Sequence, residues 1–183
     1  MTATRLNQLP QIEAAVWREL AVAVGSKRHP WRLAVLATVD GQAADARSVV
    51  LRDFQVESRT LLMYTDSRSP KAAQLAAHPN GTLVLWSAEL GWQLRLKVAL
   101  TLQTAGLQVS SRWARLKLTP AAQDYLSPLP PGSPLNGHPP ERESREHFAV
   151  LAAQVLSVDW LELHASGHRR ARFDAAGAIW LTP

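Results

Sequence analysis

The chain of 183 residues contains no cysteine. That excludes a disulfide framework and any thiolate metal site, so an ordinary hydrophobic core has to stabilise the fold. It also lacks any apolar run of the roughly 20 residues that a membrane-spanning helix needs. Its first twenty residues, MTATRLNQLPQIEAAVWREL, are interrupted by polar and charged side chains and hold no apolar segment of the secretory-signal type. A cytoplasmic location with no membrane partner is the expectation. Charged residues make up only 19%, and there is no run of five or more lysines and arginines. The net charge of +5 is carried by basic residues scattered singly or in pairs. A positive balance suits nucleic acid, a membrane surface or phosphorylated small molecules, and the scatter argues against a nucleic-acid tail. Histidines are few, and His164 and His168 flank a glycine-containing turn rather than sharing a helix face, so no metal site is expected.

What is present is a 46% hydrophobic composition, enough for a sizeable core, arranged mostly with strand-like spacing. Leu9, Ile12, Val16 and Leu20 recur at helical intervals and predict an N-terminal helix over 1–25, ended by Gly25. WRLAVLATVD reads as a strand closed by the Asp40-Gly41 turn, ARSVVLRDF as its hairpin partner and RTLLMYTD as a third strand. TLVLWSAE and GWQLRLKVALTLQT form a second hairpin. Residues 105–157 read as a helical and proline-rich insertion, including a helix over 141–156, ERESREHFAVLAAQVL. Residues 158–183 read as closing strands. The expected fold is mainly β with flanking helices (α+β), a single domain over 1–183 built as a small antiparallel barrel.

The segment YTDSRSPKAAQL concentrates donors where a strand gives way to a helix. Ser69 followed by Pro70 is an N-cap residue with proline at the first helical position. The first main-chain N–H groups of such a helix lack partners, and its dipole favours an anion. Thr65, Ser67 and Ser69 add hydroxyls, Lys71 adds a charge and Arg68 adds a fork, which together make a competent phosphate site. RSVVLR places Arg47 and Arg52 on opposite faces of an ideal strand. Gln93, Arg95 and Lys97 share one face of a long strand, a row that matters if a polar ring lies against it.

In order, RLAVLATVDG, ARSVVLRDF, LLMYTDSRSPKAAQL, WQLRLK and LELHASGHRRARF…IWLTP resemble the pyridoxamine 5'-phosphate oxidase family of FMN-binding split barrels. The resemblance is firm from about Trp31 to Thr104 and weaker over Val158 to Pro183. It implies a homodimer of six-stranded antiparallel Greek-key split barrels, with FMN in clefts between the subunits. It places Arg47, Ser48, Val49, Val50, Leu51 and Arg52 against the cofactor, together with Tyr64, Thr65, Ser69, Lys71, Gln93 and Arg172. It also implies an FMN-dependent oxidoreductase acting on a small anionic substrate.

The departures are specific. Pro70 precedes Lys71 where family oxidases carry an arginine, which leaves Arg68 as the nearby cation for cofactor or substrate. His164 stands where the oxidases carry a flavin-touching tryptophan. The substrate-binding Arg-x-His pair becomes His168-Arg169-Arg170, so His168 and Arg170, with Arg95, are further cofactor or substrate candidates. Tyr125 and Ser133 fit the spacing of the substrate-phosphate residues, but Leu129 replaces the arginine between them. Pyridoxamine 5'-phosphate itself is therefore not the expected substrate. The alternative on the same barrel is a non-catalytic carrier of flavin or haem, with His164 or His138 as axial ligand.

Overall fold

The computed structural model describes residues 5–135 and 146–183. The first helix, α1 (Leu9–Gly25), starts with Pro10 in its first turn and buries Ile12, Ala15, Val16, Leu20 and Ala23 as one stripe. A short 3-10 turn, Pro30–Arg32, drops Trp31 into the core before β1 (Leu33–Asp40) and β2 (Ala43–Val50) form a hairpin. β3 (Asp53–Gln55) and β4 (Thr60–Asp66) follow, then α2 (Pro70–Ala77). β5 (Asn80–Ser87) and β6 (Trp92–Gln103) form the second expected hairpin. After α3 (Leu107–Leu116) and a 3-10 segment, Pro120–Tyr125, the chain closes with β7 (Phe148–Glu162), β8 (Arg169–Asp174) and β9 (Gly177–Leu181).

The expected mainly-β architecture with flanking helices is present, as an open antiparallel sheet of nine strands rather than six. The order is β2-β1-β5-β6-β7-β4-β3, with β8 and β9 branching from β7. The branch explains the split. β7 keeps β6 along one edge from Val150 to Glu162, while its other edge pairs β4 over Phe148–Gln154 and β8 over Ser157–Glu162. The pairing with β6 slips at the hand-over: Val98 faces Val155 and Lys97 faces Ser157, so Leu156 bulges out, 51% exposed.

The bulge also reverses which side chains point inward. Before it, Leu151 and Ala153 enter the main core, while Phe148 and Val150 enter a smaller one under α3 with Leu62, Val109 and Trp113. After it, Val158 and Trp160 enter the main core. The helix expected over 141–156 is therefore corrected: from Phe148 onward this segment is the central strand, and 141–145 lie outside the described residues. Apolar side chains buried on both faces of a strand show no alternation, and such a run imitates helical spacing. Among the described residues no helix is long and apolar enough to cross a membrane.

Three tryptophans sit at the centre of the main core. Trp92 lies 6.4 Å from Trp31 and 5.4 Å, edge to face, from Trp160. Gly81, at the start of β5, lets that strand approach β1: a Cβ there would sit 2.8 Å from both the Ala37 carbonyl oxygen and Leu100 Cδ1. Gly81→Ala is accordingly expected to destabilise the fold by about 1–3 kcal/mol, the usual range for overpacking. Chemical denaturation of the two proteins measures it, and equal midpoints would contradict this packing.

Candidate functional site

β4 carries two consecutive side chains to opposite faces, Thr65 toward the main core and Tyr64 toward α3. On the Thr65 face, Lys71 Nζ donates to Thr65 Oγ1 at 3.0 Å, and the Thr65 and Ser69 hydroxyls lie 3.2 Å apart. Ser69 occupies the N-cap position of α2 with Pro70 next, as the sequence predicts, but its hydroxyl makes no capping bond. The hydroxyl is turned instead to Thr65, and both side chains are buried. Burial, followed by the charge of Arg47, holds the Lys71 ammonium below the usual lysine range. The two carboxylates whose fields reach Lys71, Asp66 and Asp45, are each held by an arginine, Arg68 and Arg47 respectively. Lys71 is thus a half-buried cation with no carboxylate of its own among the described residues.

Arg47 reaches this cluster from β2, opposite Leu36 of β1. Its guanidinium donates to Thr38 Oγ1, to Asp45 and, at 2.9 Å, to Gln74 Oε1 of α2. Gln74 closes the ring by donating to Asp45 at 2.8 Å and accepting from Thr38 at 2.7 Å. Arg47 therefore brings its charge to the start of α2 while its terminal nitrogens are already engaged. Thr38, Asp45 and Gln74 were not flagged by any motif, because a threonine, an aspartate and a glutamine so far apart in sequence have no spacing to recognise. Ser48 is exposed, Val49 and Val50 are half-buried, and Leu51 has its side chain in the core. Arg52 lies beyond the end of β2 rather than on its opposite face.

Arg68 does something else. Its guanidinium forks onto Asp66 at 2.7 and 3.1 Å and donates to the carbonyls of Ser127 and Pro128, both at 2.8 Å. It clamps the loop after the 3-10 segment to the end of β4. Leu129, the apolar replacement noted in the sequence, contributes its carbonyl to the same clamp at 3.4 Å.

The remaining candidates lie on the outer face of the sheet. Gln93 and Arg95 alternate outward along β6, and Arg170 forks onto Asp159 at 2.9 and 2.6 Å, with Arg95 3.7 Å from the same carboxylate. Arg172 pairs with Asp174 at 2.9 Å. His164 and His168 form an exposed turn: His168 Nδ1 accepts the His164 amide, and His164 Nδ1 accepts the Ser166 amide, each at 3.1 Å. Arg47, Thr65, Ser69 and Lys71 thus gather about α2, whereas Gln93 and Arg172 stand on β6 and β8. His138 lies outside the described residues, and among those described no three His, Asp or Glu side chains are grouped as a metal ion would require.

The family model described as the FMN-binding domain of pyridoxamine 5'-phosphate oxidase matches residues 14–104, about half of the chain. The pyridoxine/pyridoxamine 5'-phosphate oxidase of Thermosynechococcus vestitus is 47% identical over 64 residues, which cover 34% of this chain and 29% of that protein. The corresponding oxidase of Microcystis aeruginosa is 36% identical, with 40% of its length covered. That of Caulobacter vibrioides is 26% identical over 161 residues, 80% of this chain and 72% of that one. The chain therefore spans less than half of the first two relatives. Among solved structures, a pyridoxamine 5'-phosphate oxidase-related FMN-binding protein from Nostoc punctiforme superposes with a TM-score of 0.75 over 99% of this chain and all of that one, at 23% identity. PhzG from Burkholderia lata, solved with tetrahydrophenazine-1-carboxylic acid, gives 0.76 over the whole of both chains at 14% identity. These two show the fold. The chain belongs to the pyridoxamine 5'-phosphate oxidase-like family of FMN-binding split barrels.

The Arg68 clamp has a pH signature. Burial alone would raise the Asp66 carboxyl, but the Arg68 side chain, its main-chain N–H and its charge outweigh burial and hold it below the usual aspartate range. A carboxylate depressed in the folded state stabilises the fold above its unfolded value, about 3.9, and loses that contribution as pH falls through the folded value. The midpoint of thermal unfolding of the native protein should therefore fall below about pH 4. Arg68→Ala should flatten or reverse that acid limb while speeding proteolysis at Ser127–Leu129. Identical acid limbs would show that the clamp contributes no stability.

Proposed function

We propose that this protein binds FMN at the start of α2 and works as an FMN-dependent oxidoreductase on a small anionic substrate, as a homodimer. One observation carries the reading: Lys71 is a half-buried ammonium without a carboxylate partner, beside two buried hydroxyls and the charge of Arg47. A cation taken out of water without a counter-charge is costly, and a phosphate dianion is the counter-charge this donor set fits. Lys71, Thr65 and Ser69 would hold that phosphate, with Arg47 adding field. The stretch from Ser48 to Arg52 and Tyr64 would hold the rest of the cofactor. When bound, FMN supplies a two-electron acceptor for a hydride from the substrate; the protein holds, orients and neutralises. An anion at Lys71 would also restore its ammonium toward the ordinary range.

The homodimer is supported by the same geometry. Gln93 and Arg172, which the family resemblance assigns to the cofactor, stand on β6 and β8 at the outer face of the sheet. That face also exposes Leu33, Val35, Trp86 and Ile179, each 42–57% accessible. A second copy covering it would bury these apolar groups and bring its own Gln93 and Arg172 to the first chain's Lys71.

Fluorescence titration with FMN tests both parts. Lys71→Ala and Arg172→Ala should each weaken binding about tenfold to a hundredfold, the usual consequence of losing a charge-assisted contact. A protein indifferent to FMN would overturn the reading. Co-refolding the two variants should then recover native affinity at about a quarter of the sites, since each mixed dimer has one intact site. No recovery would place both residues in a single-chain site.

A further inference from the structure

Asp45 stands at the edge of the ring that holds Arg47, and two donors meet on one of its oxygens. Arg47 donates to Asp45 Oδ2 through a terminal nitrogen, and Gln74 Nε2 donates to the same oxygen at 2.8 Å. Gln74 is fixed from behind, because its Oε1 accepts from Thr38 at 2.7 Å and from Arg47 at 2.9 Å. Thr38 and Gln74 are buried, whereas the Asp45 side chain is 41% exposed. A guanidinium and a pre-ordered amide thus converge on a point whose occupant is a carboxylate reaching in from solvent.

That carboxylate is not a clamp of the Arg68 kind. Asp66 is buried, and its arginine ties down the carbonyls of a loop about sixty residues away. Asp45 and Arg47 are two residues apart on one strand, so their pair joins no distant segments. Gln74 still ties α2 to the sheet through Thr38 and Arg47 without it. A half-exposed ion pair is screened by solvent and contributes little to stability. Asp45 and Arg47 nevertheless both act on Lys71 through their charges, so the carboxylate, its two donors and the free ammonium share one neighbourhood.

We propose that Asp45 is a placeholder anion, which holds Arg47 and Gln74 ready and yields them to an oxygen of a phosphate bound at Lys71. That this phosphate belongs to the cofactor rests on the flavin reading above; the competition between Asp45 and a phosphate does not. While Asp45 keeps its place, Arg47 offers the site only its field. A phosphate that turns the carboxylate out into solvent gains Arg47 and Gln74 as direct donors, and is then gripped from β2 as well as from α2. Affinity falls in exchange, since each binding event has to break both bonds to Asp45. Asp45 therefore sets how readily the site empties, and it does so only for ligands that carry the phosphate.

Fluorescence titration with FMN and with riboflavin, and calorimetric titration of the FMN-free protein with inorganic phosphate, test this. Asp45→Asn keeps the size of the side chain and removes its charge. It should bind FMN and phosphate about two- to fivefold more tightly, the scale of a half-exposed ion pair, and leave riboflavin unchanged. Asp45→Ala should move all three in the same directions. Asp40→Asn, which removes an equal charge from the tip of the same hairpin, controls for net charge and should change none of them. A carboxylate that merely aimed Arg47 would give the opposite sign, with FMN weakened in both Asp45 variants. Unchanged or weaker FMN and phosphate binding in those two variants would overturn the inference, as would an equal gain for riboflavin or in Asp40→Asn. FMN binding that ignores Asp45 would remove this inference and leave the flavin reading standing. Phosphate binding that tightens in Asp45→Asn, on a protein indifferent to FMN, would do the reverse. A protein that binds neither would overturn both.

Discussion

The pairing of β7 is the constraint on which the rest of the molecule depends. One fifteen-residue strand holds β6 on one edge and divides its other edge between β4 and β8. A strand has one hydrogen-bonding edge per side, so two partners on that side must diverge where one ends and the other begins. The bulge at Leu156 sits at that point and supplies the local twist. It also lets the strand present Leu151 and Ala153 to the main core before it and Val158 and Trp160 after it. Without the change of parity, one half of β7 would turn its apolar side chains away from the core, a cost of several kcal/mol by burial alone. The opening between β4 and β8 is thus a consequence of the strand that stabilises the fold.

β4 then decides where charge can collect. Its even-numbered residues look toward α3 and its odd-numbered ones toward the main core, so Tyr64 and Thr65 belong to different neighbourhoods although they are adjacent. Arginines in the region fall into two kinds. Arg68, Arg169 and Arg170 are forked onto Asp66, Glu162 and Asp159, and they hold loops and strands in place. Among the described residues Lys71 and Arg52 form no ion pair with a carboxylate. Fork–fork pairing satisfies a guanidinium completely and leaves it nothing to offer a ligand. The unpaired cations are the ones whose burial calls for an outside anion. Arg47 is intermediate, tied into a ring with Thr38, Asp45 and Gln74, where it contributes field more than open donors.

Much of this was legible in the sequence. α1, the two hairpins and the Ser69-Pro70 start of α2 all follow from spacing, turn residues and capping chemistry. The central strand was not, because Phe148 to Ala153 are apolar on both faces and carry no period of two. Arg68 was misjudged for a different reason. Its position beside the helix start suggested an anion contact, but the carbonyls of Ser127 and Pro128 that hold it come from about sixty residues away.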